Sequence, residues 1–400
     1  MSARYDFDRI IERRGTRSLK WDSDVRLTGV DGLLPMWVAD MDFEAPPEIR
    51  EPMARRLAHG IYGYSLEPES YFQAARQWII RRHGWNVERD WMLTSPGVIP
   101  CLSAAILAFT SPGDGIIIQP PVYHPFAMRI TGNGRRVVEN PLVLSGARWE
   151  IDFEGLEKVI DARTRMLLFC SPHNPVGRVW THQELERLAE ICVRKGVIIV
   201  SDEIHFDLVM PGFMHIPIAS VSPQASEATV TLVAATKTFN LAGLGGSIAV
   251  VASSELRKRL DAMQHAVFAG LANAFAATAS EAAWREGEGW LDQLLTYLEA
   301  NYRFTVSFLE QRLPAVRVLP LEGTYLPLLD MRSLGLTDDA LLDRLRNTGR
   351  VWLDEGRKFG RGGQGFQRLN LACPRAILSD ALERVARALS SAVPSVPRAE

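Results

Sequence analysis

Five short, near-continuous apolar runs mark the middle of the chain, at residues 116–118, 166–170, 197–200, 229–234 and 247–252. They do not alternate apolar with polar positions, so they predict strands covered on both faces. Between the second and third runs, Leu185, Leu188, Ala189 and Cys192 fall on one helical face. Thr181 with Glu184 three residues on makes a capping-box start for that helix. This succession predicts an α/β fold with a mostly parallel central sheet. The ends read differently. Residues 1–45 carry turn and loop signals. Leu291, Leu294, Leu295 and Leu298 after Trp290, then Phe304 and Phe308, predict a long amphipathic helix. Strand-like 316–318 and 325–329 follow, and then a helix around Leu341, Leu342 and Leu345. The expected organisation is a large domain over 46–285 and a smaller α+β domain over 286–400, joined by the N-terminal segment 1–45.

Composition changes this picture little. A chain of 400 residues suits two domains, and 47% hydrophobic with 23% charged residues is a globular rather than a disordered composition. A net charge of -2 gives no broad attraction for nucleic acid or an anionic membrane. Cys101, Cys170, Cys192 and Cys373 form no C-x-x-C pair, so buried, reduced thiols are expected rather than a zinc site or disulfides. The opening residues 1–6 are polar and mixed in charge, and no apolar stretch reaches bilayer length. A soluble, cytoplasmic protein is the expectation.

The candidate chemistry lies where the apolar runs end. Lys237 follows the run 229–234 between small residues. At the end of a central strand a lysine sits where α/β proteins bind ligands, and partial desolvation there favours its neutral amine. Asp202 ends the run at 197–200; it is either a cap or ion-pair residue, or the partner of a protonated ring nitrogen. The run 166–170 leads into SPHNPVG at 171–177, a turn in which Asn174 offers an amide donor. At 94–99 the segment TSPGVI leads into a helix carrying Leu102, Ala105, Ile106 and Phe109 on one face. Its first N–H groups can hold a phosphate.

Together and in this order these features resemble the fold-type-I pyridoxal-phosphate (PLP) enzymes. More narrowly, the chain resembles the C–S lyases of the MalY/PatB type in the class I/II aminotransferase superfamily. The likeness runs through LPMWVADMDF (34–43), YGYS (62–65), PPVY (120–123), SPHNPVG (171–177) and SDEIH (201–205). It continues in ATKTFNLAGL (235–244), EGTYL (322–326) and RLNLACPR (368–375). The resemblance implies that Lys237 holds PLP as a Schiff base and moves the substrate Cα proton. It places Asp202 on the pyridine nitrogen, Asn174 and His205 near the phenolate oxygen, and Tyr123 stacked on the ring. Gly97, Val98, Ile99 and Thr236 would hold the phosphate, joined by Tyr64 of a second subunit, so a homodimer is implied. Arg368 would grip the substrate α-carboxylate, with Ala39 closing over it. Many aminotransferases carry a phosphate-binding arginine eight residues after the lysine. Here that position is Gly245, which fits the lyase branch. His124 and Pro327-Leu328 imply a pocket of altered shape.

The implied reaction is β-elimination from cystathionine or a cysteine S-conjugate to pyruvate, ammonia and a thiol. A transaminase shares these residues and differs in where the proton returns; a silent PLP-binding regulator is the third reading. Other features read as structural. GRGGQG at 360–365 follows no apolar strand and reads as a lid or turn. His83, His173, His182, His215 and His265 have no metal-ligand spacing. Tyr62 reads as packing, and Trp37 either lines the site entrance or staples the N-terminal loop.

Overall fold

The computed structural model describes residues 5–267 and 273–390. Residues 1–4 of the polar opening and 391–400 of the expected small domain lie outside the described residues.

Seven strands form the central sheet: β1 (Met92–Ser95), β2 (Gly115–Ile118), β3 (Arg136–Glu139), β4 (Thr164–Cys170), β5 (Ile198–Asp202), β6 (Thr229–Val233) and β7 (Ser247–Val250). Their order is β1-β7-β6-β5-β4-β2-β3. The run from β6 to β3 is parallel, and β7 is antiparallel to both its neighbours. All five apolar runs became strands of this sheet. β2, β6 and β7 are buried at every position, as two covered faces require. The cover comes from helices such as α1 (Val98–Phe109), α2 (His182–Lys195) and α3 (Ser254–Ala266). Thr181 and Glu184 close the capping box on α2, and Gly196 ends that helix at φ 66°. The register pairs Cys170 with Asp202 and Asp202 with Leu232. The carboxyl ends of β4, β5 and β6 therefore meet at one edge.

A second sheet holds β8 (Arg317–Val318), β9 (Leu328–Asp330), β10 (Asp354–Glu355) and β11 (Phe366–Arg368), ordered β8-β9-β11-β10. The long helix predicted from Trp290 onward spans Glu288–Arg312 and packs beside the helix Arg375–Leu389. The strand expected over 325–329 becomes regular only at Leu328. Thr324 stands at φ 68° and Pro327 has no amide hydrogen, although the Tyr325 and Pro327 carbonyls still accept from Leu371 and Leu369. The N-terminal segment is mostly irregular, and Leu34–Pro35 pairs in parallel with Val351–Trp352. Residues 360–365 form a turn in which Gly360 lies against Pro120, and Gly362 against Pro121 and Trp149.

All four cysteines are buried and free. His173 is buried and bonds the Pro121 carbonyl, while His83 and His215 pair with the buried Asp207 and Glu203. His182 and His265 lie beside Glu186 and Asp261 on the surface of their helices. No helix among the described residues is long and apolar enough to cross a membrane.

Candidate active site

The strand ends that carry Asn174, Asp202 and Lys237 open onto one cavity of about 150 Å³. Val98, Ile99, Tyr123, His205, Arg368 and Ala39 also line it. Gly97 stands one residue behind, as the N-cap of α1, and Thr236 is buried in the same short turn as Lys237. Tyr64 lies elsewhere, fully exposed on the surface.

β6 runs into the single helical turn Ala235–Thr238, which aims Lys237 into the cavity. Its Nζ donates to the Ala39 carbonyl at 2.5 Å. Burial brings the ammonium down to about 8; Arg368 pushes the same way, while Asp40 and Asp202 oppose. Burial likewise lifts the Asp202 carboxyl to about 7, against the Ile204 N–H, which donates to it at 3.2 Å, and against Lys237. Each group lacks a full counter-charge of its own, so a cationic ring nitrogen would relieve Asp202. The Tyr123 hydroxyl is pushed up to about 12, by burial first and then by Asp202, and stays protonated as a donor. His205 is held neutral, brought down to about 3 by burial, Lys237 and Arg368. Its Nδ1 is buried with no hydrogen-bond partner among the described residues.

Arg368 ends β11, directly opposite Asp354 in register. Its guanidinium donates to Asn174 Oδ1 at 2.7 Å, to the Trp37 carbonyl at 2.8 Å and to Asp354 Oδ2 at 2.6 Å. A guanidinium can only donate, so Asn174 must turn its oxygen to Arg368, leaving its NH2 as a donor on the other side. The turn that carries Asn174 is clamped by the buried Arg178, which bonds Glu322 and Glu184.

Gly245 stands at φ 73°, and a Cβ there would come within 2.6 Å of the Pro96 carbonyl oxygen. The next residue, Gly246, donates its N–H to that same oxygen at 2.7 Å. The chain after the lysine thus closes on the turn before α1 so tightly that no side chain fits at 245, arginine included.

Segment 37–43 roofs the cavity, and its carbonyls are taken up by side chains. Arg368 bonds Trp37, Lys237 bonds Ala39, and Asn370 bonds Val38 and Asp40. Asn240 bonds Met41 and Phe43 and also accepts from the Met41 N–H. Below this lies a buried cluster in which Asp42 accepts from Lys20 at 2.7 Å, Arg13 at 2.7 Å and Trp21 at 2.8 Å. Trp37 fills both roles expected of it, lining the cavity and stacking on Trp352 at 4.3 Å. Tyr62 packs near Phe275 and bonds the Leu57 carbonyl.

Sequence reasoning missed Asp354, Asn240 and Asn370 as contributors. Asp354 had a usable signal, since the apolar Val351-Trp352-Leu353 runs into an acid just as the strand before Asp202 does. The two asparagines stood inside quoted motifs with nothing to mark them as loop anchors.

A flat, phosphate-bearing pyridine fits these residues. Asp202 is a buried acid that could partner a ring nitrogen, the orphaned His205 Nδ1 and the Asn174 amide could partner ring oxygens, and Tyr123 lines the same cavity with an aromatic face. The first turn of α1 has no acidic residue to repel a phosphate.

Comparison with known proteins agrees with this geometry. The profile of the family described as aminotransferase class I and II matches residues 37–385. Cystathionine beta-lyase PatB of Bacillus subtilis is 44% identical over 96% of this chain and 100% of its own length. Cystalysin of Treponema denticola, solved with its pyridoxal 5'-phosphate, superposes with a TM-score of 0.94 at 37% identity, covering 97% of this chain and all of that one. The PLP-bound C-S lyase of Staphylococcus hominis gives 0.91 at 30% identity, over 97% and 99%. The chain belongs to the class I and II aminotransferase family, in its MalY/PatB-type branch.

Proposed function

We propose that this chain is a PLP-dependent carbon–sulfur β-lyase, cleaving cystathionine or cysteine S-conjugates to pyruvate, ammonia and a thiol. The observation that carries the reading is one cavity shared by Lys237, Asp202, Asn174 and Arg368, in a chain 44% identical to a cystathionine beta-lyase along nearly its whole length. When bound, PLP supplies an electron sink that lets the substrate Cα–H bond and then the Cβ–S bond break.

The protein's own groups do the rest. Lys237 is the attachment point and, once free, the base for the Cα proton; its lowered pKa keeps a useful share of neutral amine near pH 7–8. Asp202 holds the ring nitrogen protonated. Asn174 and His205 orient the ring from the phenolate side, and Tyr123 packs on its face. The N–H groups of Gly97, Val98 and Ile99, with Thr236, take the phosphate. Arg368 binds the α-carboxylate, and Ala39 in the roof closes above it and excludes water.

The assembly reading is a homodimer. Tyr64 is exposed to its full extent in a stretch without regular structure, beside the exposed Ile61, Tyr62 and Leu66. An apolar surface of this kind invites a second copy, and Tyr64 would reach the partner's phosphate site. The domain reading remains a large domain at 46–285 and a small one at 286–400 with the segment 1–45.

Incubating the PLP-loaded protein with cystathionine and cysteine S-conjugates, without keto acid, tests the function. Equal amounts of pyruvate and thiol over many turnovers are expected. Turnover that begins only when a keto acid is added would mean transamination instead.

A further inference from the structure

The roof and the strand ends account for most of the cavity wall, but one charged lining group has no part in the reaction above. Asp354 faces the cavity from β10, buried, with Oδ2 2.6 Å from Arg368. Among the described residues that line the cavity, the cations are Lys237 and Arg368 alone. Lys237 must work as a neutral amine. Arg368 is already shared among Asn174, the Trp37 carbonyl and Asp354, and it must still take the substrate α-carboxylate. His124 lines the cavity too, but burial holds its imidazole below the ordinary histidine range, with Asp354 opposing that shift and Arg368 and Lys358 adding to it. Lys358, outside the lining, lies 3.5 Å from Asp354 and 3.2 Å from Glu355 and is spent on both.

We propose that Asp354 is a specificity-determining residue that bars substrates whose β-substituent carries a net negative charge. This rests on the lyase reading above. The α-carboxylate draws on the one guanidinium in the lining, so a second carboxylate meets Asp354 when its two cations, Arg368 and Lys358, are already divided with other anions. Neutral, cationic and zwitterionic leaving thiols escape that penalty. The substrate class is therefore the cysteine S-conjugates and thioethers without net charge, or with positive charge, beyond sulfur, and not the dicarboxylic amino acids.

The test compares S-methyl-, S-carboxymethyl- and S-(2-aminoethyl)-L-cysteine on the holoenzyme, which differ only beyond the sulfur. The carboxymethyl compound is expected to have a kcat/KM about tenfold to a hundredfold below the methyl compound, as one partly screened like-charge contact implies. Asp354→Asn should close most of that gap, and Asp354→Glu should keep it. All three share the α-carboxylate, so any loosening of Arg368 cancels in the ratio. An equal preference in the native enzyme, or an unchanged ratio in Asp354→Asn, overturns the proposal. Should Asp354→Asn fail to fold, the order of the three compounds on the native enzyme decides, and carboxymethyl ahead of methyl refutes it. Absence of pyruvate from every compound would instead count against the lyase reading. The charge preference is then read from dissociation constants, measured by the change in absorbance of the bound cofactor, which need no turnover.

Discussion

Replacing Asn370 by alanine tests whether the roof of the site is held by named hydrogen bonds or by packing alone. Asn370 is fully buried and makes three bonds: its amide donates to Val38 at 2.6 Å and Asp40 at 2.8 Å, and its oxygen accepts from the Ala372 N–H at 2.7 Å. Asp40 keeps a second donor in Lys20 Nζ at 3.0 Å and the Val38 carbonyl keeps the Asp40 N–H at 2.9 Å, so truncation orphans the Ala372 N–H alone. An unsatisfied buried group costs about 1–3 kcal/mol, and the Ala372 N–H is buried. The expected loss is about 1–3 kcal/mol, read by urea unfolding at fixed protein and cofactor concentrations. Function should suffer through the neighbouring bond from Arg368 to Trp37, so KM rises more than kcat falls. A loss under about 0.5 kcal/mol with KM unchanged would refute the reasoning, because an orphaned buried N–H cannot be that cheap.

Three further outcomes follow from the geometry. Cofactor incorporation into apoenzyme needs neutral Lys237, so its rate should climb with pH and level off above about 8, whereas an ordinary lysine would still be climbing near 10; stopped-flow absorbance across pH 6–10 distinguishes the two. Gly245→Ala forces a Cβ to 2.6 Å from the Pro96 oxygen at φ 73°, and the backbone strain alone costs about 1–2 kcal/mol. A lower melting temperature and weaker PLP binding by equilibrium dialysis should appear together; PLP affinity equal to the native value would show that the 96–97 turn gives way freely. Tyr64→Ala removes a side chain that nothing in its own chain covers, so the fold of the single chain loses no contact. It should still weaken PLP retention in the assembled protein, and unaltered retention would remove Tyr64 from the cofactor site.

The sheet was legible because a buried strand has few ways to be written. The runs at 166–170, 197–200 and 229–234 needed both faces covered, and the chemistry at their ends followed from where parallel strands stop. Asp202 and Lys237 were visible for that reason. Residues whose work depends on distant backbone were not: nothing local to Asn240 or Asn370 says that their amides meet carbonyls roughly 200 and 330 residues away. Asp354 could be picked out as an acid after an apolar run, but its partner could not. Its role depends on the cross-strand register with Arg368, which no single segment specifies. The strand expected at 325–329 began late because period and composition do not report the positive φ of Thr324.

The bonds from Arg368 and Asn370 to Trp37, Val38 and Asp40 join the two ends of the chain across separations of 330–332 residues. During synthesis the N-terminal segment therefore leaves the ribosome long before its anchors exist. At about 5–20 residues per second, that wait is on the order of half a minute. Through that interval the roof over Lys237 has, outside its own segment, only Lys237 and Asn240 to hold it, and Asp42 and Lys20 have only one another and their near neighbours. A product cut short before residue 368 keeps the central sheet, the lysine and the Asn240 anchors, yet lacks the side chains that hold Trp37 and Val38. Competence thus arrives late, with the last small-sheet strand.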